Sequence, residues 1–237
     1  MNISAPKTKL FCLGLGLILV TATGACASSG DGKGADSPSG TTTSATVKVK
    51  LDLPNTGNPK YDKFFGDVAD LAQLVADARA ALETAPATLN KAMNVTDTTD
   101  FDTALKTLGG KLKGKVTVTI NPTPSGADVS IVPAAGVTLT ADEQAMVDAY
   151  KKVATDIAAI PAKLAPVVAK AVDIATQAAG LAVSAKSDFT GMAAMKTLPS
   201  VIKGFGTVST AVDGIKTDVP VILDKSKTMT VALKGAV

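Results

Sequence analysis

ADEQAMVDAYKKVATDIAAIPAKLAPVVAKAVDIATQAAGLAVSAK, residues 141–186, places Met146, Tyr150, Val153, Ile157, Ile160, Leu164, Val167, Ala171, Ile174, Ala178, Leu181 and Ala185 alternately three and four positions apart. In a helix of 3.6 residues per turn that spacing brings all of them onto one side, so the run predicts an amphipathic helix with one buried stripe. Thr140 and Glu143 stand at the Thr-x-x-Glu spacing of a capping box immediately before it. As a straight rod the run would be roughly 70 Å long. Pro161 and Pro166 each remove a backbone donor inside it, which predicts a kink or a break.

The same rhythm recurs on both sides. Upstream, Tyr61, Phe64, Val68, Leu71, Val75, Ala78, Leu82, Ala85 and Leu89 form a continuous seam, and Pro86 should bend or interrupt its last turns. Downstream, Leu198, Val201, Phe205, Val208, Val212, Ile215, Val219 and Ile222 predict a last helix despite Pro199, Gly204, Gly206 and Gly214. The pair Gly204 and Gly206 reads as tight helix packing or a local break. A shorter helix is expected to start at Asp97 to Asp100, which supply cap and charge, and to end at Gly109-Gly110. Between the long runs, 115–120 and 127–132 alternate in the manner of strands and flank 121–126, which contains Pro122, Pro124 and Gly126 and reads as a hairpin turn. Val47, Val49, Leu51 and Leu53 alternate with polar residues as a half-buried strand would, and 227–233 is strand-like in composition.

Three one-faced helices cannot be stable alone in water, and their seams match in kind. The expected fold is therefore α+β, mainly α: an antiparallel bundle of three long helices with a small antiparallel sheet at one end. The central hairpin and the two terminal strands would build that sheet and bring the ends of the folded part together.

Before the folded part, Lys7 and Lys9 precede an apolar run from Leu10 to Val20. This is the layout of an export signal, and at about 11 residues the run is short of the roughly 20 that a membrane-spanning helix needs. The segment Thr23-Gly24-Ala25-Cys26 resembles the lipobox of bacterial lipoproteins, with Thr23 where Leu is usual. The resemblance implies cleavage between Ala25 and Cys26, a diacylglyceryl group on the Cys26 sulfur, and a fatty acyl chain such as palmitate on the new N-terminus. Ala27, standing where inner-membrane lipoproteins often carry Asp, points to the outer membrane if the envelope has two. The alternative is an ordinary signal peptide cleaved near Ala22 to Ala27, with Cys26 incidental. Residues 27–44 hold no apolar residue larger than Ala and are rich in Gly, Ser and Thr, the composition of a flexible tether. The expected organisation is thus a signal peptide over 1–25, a lipidated cysteine and tether over 26–44, and one domain over 45–237.

Composition removes most familiar chemistry. The chain has no His, which excludes imidazole-based triads, shuttles and zinc sites. Of its two Cys, Cys12 falls in the leader and Cys26 would carry lipid, so neither a disulfide framework nor a thiol nucleophile is expected. No phosphate-binding loop or dinucleotide fingerprint occurs, and no cofactor is expected. Loss of Lys7 and Lys9 from the 24 basic residues leaves 22 against 21 acidic ones, with a single arginine, Arg79, so nucleic acid is not an expected partner. Asp97, Asp100 and Asp102 lack the spacing of a calcium loop and read as helix caps, so no metal site is expected. The only glutamates, Glu83 and Glu143, fall on a polar face and in the capping box, and no catalytic residue is assigned.

Three functions fit. The first is a non-catalytic, lipid-anchored envelope protein, structural or adaptor in role, presenting a helical face to another envelope protein or to a copy of itself. The second is a carrier of a lipid or other apolar ligand between helices. The third is a membrane-active helical protein of loose similarity to toxins of the cytolysin A type, although the hairpin over 116–132 is too polar for an inserting tongue.

Overall fold

A computed structural model describes residues 48–96, 99–124 and 126–237. The protein is mainly helical, with one small antiparallel sheet of two strands. Helix α1 (Pro59–Ala92) starts at Asn58, whose side chain accepts a hydrogen bond from the Lys60 amide, with Pro59 in the first turn where its missing N–H is harmless. All nine residues of its seam are buried. Of the bend or interruption expected at Pro86, the interruption does not occur: the helix continues through the proline. Leu82 and Leu89 on either side of the proline are buried, and about 1.5–3 kcal/mol for each offsets the roughly 3 kcal/mol that proline costs.

Helix α2 (Phe101–Leu112) is capped by Asp100, as expected, but does not end at Gly109-Gly110. A Cβ at position 109 would sit 2.0 Å from the Ala236 carbonyl oxygen, so this glycine makes room for the C-terminal backbone. It is a packing residue inside a helix. Strands β1 (Val116–Thr123) and β2 (Gly126–Pro133) pair from Val116↔Pro133 to Thr123↔Gly126. Val116, Ile120, Val129 and Ile131 turn inward against the helical residues 141–164, while Thr117, Thr119, Asp128 and Ser130 face outward.

The prolines divide the 141–186 run into α3 (Ala141–Ala158), α4 (Ile160–Leu164) and α5 (Val167–Asp188). Pro161 sits in the first turn of α4 and Pro166 precedes α5, positions where a missing donor costs nothing. The Thr140/Glu143 capping box is formed at the start of α3. After a turn at Phe189 and Thr190, helix α6 (Gly191–Lys234) returns past Pro199 and Pro220, packing on α5 and α1.

Neither of the two strands expected at the ends forms among the described residues. Residues 227–233 form the last turns of α6, because Ser226, Met229 and Leu233 continue the three-and-four spacing of Val219 and Ile222 and all are buried. That packing outweighs the few tenths of a kcal/mol by which Thr and Val disfavour helix. Residues 48–54 form no regular element and lie on helices, with the Val49 amide donating to the Gln73 side chain at 3.0 Å. The ends therefore do not meet. Asp52 lies against Lys203, Ala236 against Gly109, and roughly 45 Å of α6 separates Lys203 from Leu233.

Candidate functional site

The first turn of α1 and the last turns of α5 bring together a polar cluster that is more than a hundred residues apart in sequence. Ser184 and Asp188 are four apart and share one face of α5. Opposite them, the Lys60 Nζ donates to Asp188 Oδ2 at 2.8 Å and to Ser184 Oγ at 3.2 Å. The Tyr61 hydroxyl donates to the same Asp188 oxygen at 2.8 Å and lies 3.2 Å from both Ser184 Oγ and the Leu181 carbonyl. Behind it stands an aromatic group. Tyr61 and Phe189 have ring centroids 5.0 Å apart, and Phe205 lies 6.3 Å from Tyr61, 6.0 Å from Phe64 and 5.6 Å from Phe65. Five of the eight aromatic residues of the chain thus join the start of α1 to the α5–α6 turn. They form a lock in the core and leave no exposed stacking platform there.

Beside the cluster runs an open groove of about 580 Å³. Lys60, Lys63, Phe64 and Asp67 of α1 form one wall, and Gln177, Gly180, Leu181 and Ser184 of α5 the other. Lys63 is paired with Asp67 at 2.6 Å. A second notch, about 530 Å³, follows Pro220 on α6 and is lined by that helix alone.

A serine with lysine and tyrosine within hydrogen-bond reach has the outline of an activated nucleophile. The electrostatics oppose that use. Asp188 raises the Lys60 pKa by hydrogen bond and charge, so the amine stays protonated and donates. Burial raises that of the Tyr61 hydroxyl. The Asp188 carboxylate is lowered, first by Lys60 and then by Tyr61. Neither Lys60 nor Tyr61 can therefore take the Ser184 proton near neutral pH, and the Ser184 hydroxyl bonds to the Leu181 carbonyl at 3.3 Å. The cluster holds two helices together and lines an amphipathic groove with ammonium groups.

The expected lipidation and cleavage residues, Cys26 and Ala25, lie outside the described residues, as does Asp97. The Asp100 carboxylate accepts from the Thr103 amide at 2.9 Å and from its hydroxyl at 3.0 Å, and these bonds lower its pKa. Its oxygens are occupied by the cap of α2. Among the described residues no three His, Cys, Asp or Glu side chains gather closely enough to hold a metal ion. Sequence reading missed the Lys60, Tyr61, Ser184 and Asp188 cluster. The one available signal was Ser184 and Asp188 at helical spacing beside the seam, which does not name their partners. Compared with family models, curated proteins and solved structures, the chain matches none.

Proposed function

We propose that the protein is a lipid-anchored, non-catalytic component of a bacterial cell envelope with a structural or partner-binding role, its helices acting as an antiparallel bundle of three long arms. The observation that carries this reading is the order of Lys7, Lys9, the apolar run from Leu10 to Val20, Thr23-Gly24-Ala25-Cys26 and a Gly/Ser/Thr-rich spacer. The absence of His and the protonated state of Lys60 and Tyr61 beside Ser184 support a role without catalysis. Intact mass of the protein extracted from membranes tests the anchor. Cleavage before Cys26 with added acyl mass is the expected result; an unmodified Cys26, or a Cys26→Ser variant that stays equally membrane-bound, refutes it.

A second reading, carriage of an amphiphile, is favoured by the α1–α5 groove, where Phe64 and Leu181 lie beside Lys60 and Lys63. Native mass spectrometry showing co-purified lipid would support carriage, and a clean apo mass would remove it. A membrane-active role built on the β-hairpin gains no support, since Val129 and Ile131 are buried against the helices.

A further inference from the structure

Helix α5 carries two apolar edges, and only one is used in the core. Val167, Ala171, Ile174 and Ala185 are buried, and the edge bearing Gln177, Gly180 and Ser184 faces α1. The edge turned from α1 holds Val168, Val172, Ala175, Ala179, Ala182 and Val183, all exposed and none charged. On α6, Gly204, Thr207 and Asp218 face Pro54, Asp52 and Arg79, which marks the side occupied by α1 and the segment before it. The opposite side of the α6 start carries Met192, Met195, Pro199 and Ile202. Two antiparallel helices that share a core turn these edges toward each other, because the winding sense is common and the axes are reversed. The result is one surface beside the α5–α6 turn, apolar along α5 and along α6 as far as Ile202, after which Ser209 and Asp213 follow on the α6 edge. Val183 is 83% exposed, Met195 82% and Met192 73%, far above what side chains of this type show when they serve the core. Helix α5 is long and apolar enough to cross a membrane, yet the most apolar window of it is only 17% buried. Its hydrogen bonds to α1 and its buried Ala171 and Ile174 fasten it to the domain, so it can lie on a membrane without crossing it.

We propose that this α5–α6 surface rests on the headgroup boundary of the bilayer that holds the Cys26 lipid; the proposal builds on the lipid-anchor reading. Charge around the patch fits a phospholipid surface. Lys186 and Lys196 flank it at the hairpin end, are exposed and make no ion pair among the described residues, while the Asp188 carboxylate is taken up by Lys60 and Tyr61 and the acidic Asp213 comes only further along the α6 edge. The chain outside the described residues leaves from the α1 side of α6, where Asp52 meets Lys203 at 2.5 Å and the Val49 amide meets the Gln73 side chain at 3.0 Å, so it must pass around the helix to bring the lipid to the patch. A Gly/Ser/Thr-rich chain of the length of 27–47 has an r.m.s. reach of roughly 25 Å, enough to let the patch and the lipid enter one bilayer. Two signals of this kind add on one membrane, since the lipid raises the local concentration of the patch at the surface.

The test uses the protein extracted from membranes and returned to vesicles of phosphatidylethanolamine and phosphatidylglycerol. Variants Met195→Cys, Val183→Cys and, on the exposed face of α1, Glu83→Cys receive an environment-sensitive fluorophore, and nitroxide-bearing lipids serve as quenchers. Quenching several-fold stronger at 195 and 183 than at 83 is expected, with loss of the signal at 183 when Met195→Asp and Ile202→Asp are added and circular dichroism is unchanged. Equal quenching at all three positions overturns the proposal. So does shielding of 195 and 183 from both lipid and water with crosslinking between copies, which would make a second molecule the occupant. Failure of the anchor reads out separately: the intact mass of the chain without added cysteines would then lack acyl chains, whether Cys26 is retained or cut away.

Discussion

Gly204 and Gly206 lie two residues apart in α6, and replacing each with alanine should change stability by clearly different amounts. In a helix interior alanine is favoured over glycine by about 0.8–1 kcal/mol. At Gly206 nothing lies within 4 Å of the added methyl, so Gly206→Ala should stabilise by about 0.5–1 kcal/mol. At Gly204 the methyl would sit 2.7 Å from Pro54 Cδ and 2.9 Å from Phe65 Cζ, against ordinary carbon contacts of roughly 3.5–4.0 Å. Phe65 is buried and held by Phe64 and Phe205, with centroids 5.5 and 5.6 Å away, so it cannot yield freely. Overpacking of this kind costs about 1–3 kcal/mol, which exceeds or cancels the helix gain. The two variants should differ by roughly 1–3 kcal/mol in urea unfolding followed by far-UV circular dichroism, with equal slopes. Adding Pro54→Ala should recover part of the Gly204→Ala loss. A Gly204→Ala protein as stable as Gly206→Ala would refute the placement of residues 52–54 against α6.

Three further perturbations test other joints. Tyr150→Phe removes the buried hydroxyl that donates to the Leu233 carbonyl near the end of α6, where burial raises the tyrosine pKa to about 12; a loss of about 1–2 kcal/mol is expected in thermal unfolding. Glu143 is lowered to about 2, first by its hydrogen bond from Lys115 and then by the Thr140 amide, so its stabilising effect is complete above about 4.5 and fades as pH falls through about 2. Glu143→Gln should therefore be less stable than the parent at neutral pH, with the gap closing between pH 4.5 and 2 in a series of melts; a constant gap would refute the pairing. Gly109→Ala should push the Ala236 carbonyl off α2 and speed removal of the last residues by a carboxypeptidase, with little change in helix content.

What could be read from residues alone was the buried side of each long helix. Burial repeats every turn, and tens of side chains in register outweigh any single exception, so Tyr61 through Leu89 and Met146 through Ile174 were legible despite Pro86, Pro161 and Pro166. The Thr140/Glu143 box and the Asp100 cap were legible because they are local. Where sequence reading failed, a distant contact decided. Gly109 looks like a helix end until Ala236 lies on it, and 227–233 looks like a strand until Met229 and Leu233 are seen to extend the α6 seam. Residues 48–54 alternate as a strand should, but a strand needs an edge to pair with, and the neighbours here are helices.

The candidate site was less legible for the same reason. Lys60 and Asp188 are 128 positions apart, and no period links them. On α5 the difficulty is different, since two stripes with the same three-and-four rhythm run side by side, one through Ala171 and Ile174 and one through Val172, Ala175 and Ala179. Periodicity marks both as apolar and, although the first continues the seam from Leu164 and Val167 and so names the core stripe, it does not say what the second meets. Ser184 decides it: by fixing one edge of α5 to Tyr61, it turns the second stripe outward, next to Met195 and Ile202. An Ala-rich helix with a single use would carry polar residues there at no cost to the fold. The uncharged outer stripe is therefore the feature of this domain that packing leaves unexplained, and a bilayer surface accounts for it together with the lysines at its rim.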